Sequence, residues 1–312
     1  MIGVPLDGAD VVRMGGAGDG PSEFRRLSRV WRAGPGGVGA FDHARQRYVE
    51  FSEAGELVRD FQLTGGSEAG DLPSLYRVGG AADEPAFFHA LVTSFPREPT
   101  SGPYRGRGPL VRIEDTPDTI AWLAGNTTFV AGQMAGYVLF GATSHVSEGG
   151  EGVWVGDSER PEVVLWADGD EPVWIVRWNG AGPEPVTASR QNALWDRMEG
   201  SAPEGGVAMM AQLRDAIPFA ETVPAFGTLL ASPEDLVWVG EYIDPEYDML
   251  EEPPPAQEWL VVDVAAESAA TIQTPAGLRV LRVGRDFVAG VLGVESVRLY
   301  RIEFDRRDEG EE

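Results

Sequence analysis

Short runs in which apolar and polar residues alternate, each broken by Gly, Asp, Pro or Glu, recur along the chain in groups of three or four. This is the pattern of half-buried β-strands joined by tight turns. The first full group spans 27–63, where LSRVWRA, GVGAFD, RYVEFS and ELVRDFQL are separated by GPG, HARQ and EAG. A second, SLYRVG, AFFHALV, GPLVRIED and TIAWLAG, spans 74–125 with a long loop at 95–108. The third is assigned to 129–178 and is clearest in HVSEG, GVWVGD, EVVLWAD and PVWIVRW. The fourth, at 226–274, holds FGTLLAS, LVWVGEY, EWLVVDV and ATIQTP and is interrupted by the acidic loop DPEYDMLEEPPPAQ. A fifth, LRVLRVG, DFVAGVL and SVRLYRIEF, occupies 276–304 ahead of an acidic tail at 305–312 that reads as disordered, solvating charge.

Between the third and fourth groups the period changes. Residues 187–217 have helical spacing, with Thr187 as N-cap, Leu194, Trp195 and Met198 on one face, and a second short helix at 206–216. This is an inserted helical hairpin. Groups of about four strands repeating every 50 or so residues are the signature of a β-propeller, in which neighbouring radial sheets bury each other's faces. The recurrence of GVWVGD at 152–157 and LVWVGEY at 236–242 reads as the same strand in two blades, which a β-sandwich does not explain.

Composition supports an all-β chain: forty glycines and 23 prolines suit many tight turns, and 43% hydrophobic residues suffice for a large core. The formal charge of −25 makes nucleic acid an unsuitable partner. Every basic residue is arginine, so no Schiff base and no phosphate-loop lysine is available. Cysteine is absent, which removes disulfides and thiolate chemistry. No run of about 18 apolar residues offers a membrane span.

GGAGDGPSEFRRLSRVW followed by GVGAFDHARQRYVEFSEAGELVRDFQL resembles the NHL-like six-bladed β-propeller proteins, in which such a glycine-rich segment links two blades. The similarity extends through VWVGDSERPEVVLWADGDEPVWIVRW to LRVLRVGRDFVAGVLGVESVRLYRI. It implies a six-bladed-type ring with five recognisable blades, one remnant strand and the linker in 1–24, and the helical insertion. The family pattern places a blade ahead of the linker, whereas one strand precedes it here. Either the N-terminus is truncated, in which case a periplasmic or secreted protein is expected, or the ring closes differently. The resemblance is close to silent about activity.

Candidate chemistry is sparse. Glycines at 15, 16, 18 and 20 could cradle phosphate, but the spacing is not G-x-G-x-x-G and a strand, not a helix, follows, so a turn is expected. His43, His89 and His145 occupy unlike strand positions and are not expected to share a metal. The acidic turns with Asp157 and Glu159, with Asp168, Asp170 and Glu171, and with Asp244, Glu246 and Asp248 offer oxygen ligands for Ca²⁺, although Asp is common in turns for backbone reasons alone. Trp154, Trp166, Trp174, Trp178, Trp238 and Trp259 fall on strand patterns and are expected to pack blades. The insertion and the loop 243–258 are the expected partner-binding face, with Trp195, Asp244 and Tyr247 as contacts. The resulting reading is a non-catalytic, monomeric, cofactor-free binding or scaffold propeller for a protein, peptide or glycan. The alternative is a divalent-metal-dependent hydrolase of the lactonase-like propeller type, weakened because Asn126, Asn179 and Asn192 are the only asparagines.

Overall fold

A computed structural model of the chain describes residues 2–3, 12–33, 37–42, 44–45, 47–62, 77–80, 87–90, 102–113, 117–132, 134–167, 171–179, 184–202, 206–234, 236–244, 253–293 and 296–302. The N-terminal part forms two small ladders, β1 (Ile2–Gly3) against β2 (Val12–Arg13), and β3 (Gly16–Ala17) parallel to β4 (Glu23–Phe24). Antiparallel meanders follow in chain order. Sheet 1 holds β5 (Leu27–Ala33), β6 (Gly37–Asp42), β7 (Arg47–Phe51) and β8 (Leu57–Gln62). Sheet 2 holds β9 (Arg77–Gly80), β10 (Phe87–Ala90), β11 (Tyr104–Ile113), β12 (Pro117–Ala131) and β13 (Met134–Tyr137). Sheet 3 holds β14 (Ser144–Glu148), β15 (Val153–Asp157), β16 (Glu162–Trp166) and β17 (Trp174–Arg177).

Helices α1 (Ala188–Ser201) and α2 (Val207–Ala216) come next. Sheet 4 holds β18 (Thr228–Ala231), β19 (Leu236–Gly240), β20 (Gln257–Asp263) and β21 (Ser268–Thr274), and sheet 5 holds β22 (Leu278–Val283), β23 (Phe287–Leu292) and β24 (Ser296–Arg301). In each sheet the strands pair in sequence order, as short turns dictate.

The first strands lie beside one another in the same order: β5 next to β9, β9 next to β14, β14 next to β18, and β18 next to β22. Sheets that succeed one another around a line of first strands make a β-propeller-like, all-β fold. Its core lies between sheets. Leu110, Ile120 and Leu123 of sheet 2 meet Val146, Val153 and Val155 of sheet 3. On the other face of sheet 3, Trp154, Val163 and Leu165 meet Leu229, Val237 and Val239 of sheet 4. Sheet 4 turns Trp238, Trp259 and Val261 to Leu278, Val280 and Val288 of sheet 5. Thus β15 and β19 are equivalent second strands, each with a fully buried tryptophan facing the following sheet and valines facing the preceding one.

Two differences from the sequence reading stand out. Residues 129–137, placed there at the start of the third blade, belong to sheet 2: β12 continues past Gly125 and pairs with β13 in a hairpin, Thr128 opposite Tyr137 and Ala131 opposite Met134. Asn126, just beyond the TIAWLAG run, lies within the strand, and its Oδ1 accepts from the Ser144 amide at 3.2 Å. Sheet 5, by contrast, is covered on one face only among the described residues. Its other face carries cross-strand rows Arg279–Val291–Val297 and Arg282–Ala289–Leu299, with Val297 and Leu299 78% and 72% exposed.

The glycine-rich stretch is a linker bound to sheet 1. Gly18 has φ +148°, and a Cβ there would lie 2.1 Å from Glu23 Oε2; that carboxylate accepts from the Gly20 amide at 2.7 Å. The Arg47 guanidinium, buried at 7% exposure, donates to the carbonyls of Gly20, Pro21 and Glu23 at 3.0, 2.7 and 2.8 Å. Strand β5, not a helix, follows. Among the described residues no helix is long and apolar enough to cross a membrane.

Candidate ligand cavity

The helical insertion leaves the succession of sheets after sheet 3 and returns to it at β18. Thr187 caps α1 by accepting from the Arg190 amide at 3.3 Å, and Leu194, Trp195 and Met198 form its buried face, as the spacing predicts. They pack on Leu139, Phe140 and Val223, with Leu213, Phe219 and Tyr242 around them. A parallel bridge between Leu139 and Phe219 and an antiparallel one between Pro185 and Thr222 fasten the insertion at its base.

Arg190 fastens it a second time. Its Nη2 lies 3.0 Å from Asp244 Oδ1, its Nη1 3.3 Å from Glu184 Oε2, and its guanidinium carbon 5.7 Å from the centre of the Phe140 ring. Burial works against the charge on Arg190, yet hydrogen bonding and attraction to Asp244, then to Glu184, outweigh it and hold the pKa above the ordinary arginine value. Phe140 takes φ 57°, a left-handed conformation that costs a bulky residue about 1–3 kcal/mol. Its neighbours over-determine it: the ring packs on Phe219 at 6.0 Å and on Tyr242 at 6.3 Å.

Beside this region lies a cavity of about 960 Å³. The β12–β13 hairpin walls one side with Phe129, Met134 and Tyr137. Phe140, Ile217, Tyr242 and Pro254 line the end that carries the insertion. The first strands supply Thr143, His145, Ser147 and Glu148 from the β14 region, Thr228 to Leu230 from β18, and Arg279 to Arg282 from β22. Gln257 is held by donating to the Glu241 carbonyl at 2.9 Å. His145 Nε2 lies 2.8 Å from Thr143 Oγ1 and its ring 5.1 Å from that of Phe226. Arg282 Nη1 reaches Glu148 Oε2 at 3.7 Å, from β22 to β14 past the intervening β18. A largely apolar concavity with a few convergent polar groups is the usual form of a small-ligand site.

The residues singled out in the sequence are not brought together there. Asp157 and Glu159 are both engaged by Arg105 of β11: Nη2 to Asp157 Oδ1 and Nη1 to Glu159 Oε2, each at 2.7 Å. Their carboxylates thereby clamp sheet 3 to sheet 2. Asp168, Asp170, Glu246, Tyr247 and Asp248 lie outside the described residues, as do His43 and the side chain of His89. Trp195 requires a correction: it is 1% exposed, in the core between the insertion and the segments around Leu139, Phe140 and Val223, and cannot touch a partner. Asp244 is the anchor of Arg190. Among the described residues no three His, Asp or Glu side chains gather as a metal-ligand set. The cavity residues escaped the sequence reading because they come from first strands far apart in the chain and from a hairpin that FVAGQMAGYV could have signalled through its alternation around a turn.

No family model and no curated protein matches the chain. Solved structures that resemble it include a protein of Bacteroides fragilis NCTC 9343 described as exported, at 11% identity and TM-score 0.46, the alignment covering 91% of this chain and 70% of that one. A member of the DUF4221 family from Bacteroides vulgatus ATCC 8482 aligns at 10% identity and TM-score 0.48, over 94% and 83% of the two chains. Virginiamycin B lyase from Staphylococcus aureus aligns at 9% identity and TM-score 0.38, over 96% and 76%. With every one of these TM-scores below 0.5, the assignment of a β-propeller-like fold rests on the sheets and on the succession of their first strands.

Proposed function

We propose that the chain is a non-catalytic binding protein, a propeller of the six-bladed type, that captures a protein, peptide or glycan segment at the end carrying the helical insertion. The observation that supports this reading is the cavity of about 960 Å³. Two departures from the strand repeat, the β12–β13 hairpin and the insertion, contribute to its walls. Repeat folds commonly use such excursions to build the surface that meets a partner. Tyr137, 51% exposed at the rim, supplies aromatic surface for packing a ligand.

The test is capture from peptide and glycan arrays followed by calorimetry. Tyr137→Ala is expected to weaken the captured ligand about tenfold, the scale of one aromatic anchor, without changing the far-ultraviolet spectrum. Capture unaffected by Tyr137→Ala, or lost on replacing a residue at the opposite end of the sheets, would refute this location. The reading needs no cofactor; a rise in Tm on adding Ca²⁺ to chelator-treated protein would speak against it.

A further inference from the structure

We propose that the outer edge of β17 is an interaction surface separate from the cavity: an extended segment of another protein, alternating apolar and basic residues, adds there as a further strand of sheet 3.

The ladder fixes which backbone groups are open. β17 is the last strand of sheet 3. At one end the Trp178 amide donates to the Pro161 carbonyl at 3.2 Å, and at the other the Val173 amide donates to the Leu165 carbonyl at 2.8 Å. Peptide groups alternate in direction along an antiparallel strand. Counted back from Trp178, Val176 and Trp174 turn to β16, and the amides and carbonyls of Ile175 and Arg177 point away from it. Among the described residues no other strand or loop meets those four groups.

This edge is also poorly guarded. Native edge strands are commonly blunted by charged side chains; the last strand of sheet 1 carries Arg59 and Asp60, that of sheet 5 carries Arg298 and Arg301, and that of sheet 4 is the polar SAATIQT. On β17 the charge is Arg177 alone, and it is tied to Glu162. Beside it Val173, Trp174 and Ile175 are 49, 42 and 47% exposed.

Charge selects the occupant. A chain of net charge −25 draws a cationic segment toward itself and repels a second copy. By alternation Trp174 shares a face with Val176 and Trp178, which pack toward sheet 4. Its exposed indole offers a surface to a guanidinium or ammonium group of the incoming strand, and Ile175, on the opposite face, offers an apolar neighbour.

The probes are a short capped peptide of alternating valine and arginine, its valine–glutamate counterpart, and the valine–arginine peptide with every amide N-methylated, which keeps the charge but cannot donate. Each is titrated calorimetrically into the whole chain at low and high salt. The valine–arginine peptide is expected to bind and to weaken as salt rises, methylation is expected to cost about tenfold or more, and the glutamate peptide should not bind. Ile175→Pro removes an outward amide that the β16–β17 ladder does not use, and should cost about tenfold, whereas Tyr137→Ala, in the cavity, should change nothing. Circular dichroism is the control for folding, and the methylated peptide carries the same test on the unaltered protein. Equal binding of the methylated peptide, or binding kept by Ile175→Pro and lost with Tyr137→Ala, overturns the edge as the site. No binding by the valine–arginine peptide overturns the proposal outright. Self-association of the peptide-free chain in sedimentation, rising with salt and abolished by Ile175→Pro, gives the edge to a second copy and overturns the proposed occupant.

Discussion

Arg47 donates three hydrogen bonds to the linker that precedes its own sheet, closing a loop between positions more than twenty residues apart. Replacing it with Met removes the donors and leaves three part-buried contacts unmade, at a cost of about 2–3 kcal/mol, to be read from urea unfolding. The linker's glycines were legible in the sequence as a turn because their spacing fails the phosphate-loop pattern; the arginine was not, because nothing in a one-dimensional pattern pairs it with residues 20–23. Asp19 and Arg25 form a second linker contact. Hydrogen bonding to Arg25 lowers the Asp19 pKa below 3.8, against a smaller desolvation effect. The folded value is the depressed one, so any stabilisation is present at neutral pH and is lost as acidity passes below pH 3.8. Both groups are solvent-exposed and salt screens them, so the loss is small; a carbon-detected titration of Asp19 would locate its midpoint. The tryptophans separate by their indole N–H groups. Among the described residues, those of Trp154 and Trp238 are buried without a hydrogen-bond partner, whereas Trp259 donates to Thr274 Oγ1 at 3.2 Å. Trp259→Phe is therefore expected to cost about 1 kcal/mol more than Trp154→Phe, measured side by side in denaturant.

Among elements, the helical insertion was the easiest to foresee and its chemistry the easiest to misjudge. Helical spacing put Trp195 beside Leu194 and Met198 on one face, and that face is inward; the same spacing that located the helix argued against Trp195 as a contact. What holds the insertion to the sheets was invisible, since Arg190 and Asp244 are 54 positions apart. Asp244→Asn leaves the apolar seat intact while removing one charge from the pair. Hydrogen exchange across 188–201 is expected to quicken, with sheets 3 and 4 unchanged. The β12–β13 hairpin went unrecognised because Gly125 and Asn126 signal a turn locally, whereas pairing of Thr127 and Thr128 with Arg105 and Tyr104 carries the strand through.

At the scale of the molecule, the recurrence of three- and four-strand groups foretold successive sheets because no such sheet can bury both faces unaided. The cavity was hidden for the complementary reason: it belongs to no single group. The uncovered face of sheet 5 divides its residues sharply. Leu299→Thr, on the bare face, is expected to change stability by less than about 0.5 kcal/mol, while Val288→Thr, 4% exposed against sheet 4, should cost about 1–3 kcal/mol. Thermal unfolding of the two variants checks the contrast.

Sheets that are each continuous in sequence and pack chiefly on their immediate neighbours also give the molecule a mechanical grain. Tension drawn on the C-terminal end meets sheet 5 first, held, among the described residues, by one face alone. Its strands from Leu278 to Arg301 would come away as a unit and release roughly 80 Å of chain, before the Trp238–Trp259 contact behind it is disturbed. An optical trap should record the molecule paying out in instalments, the first of them from this end.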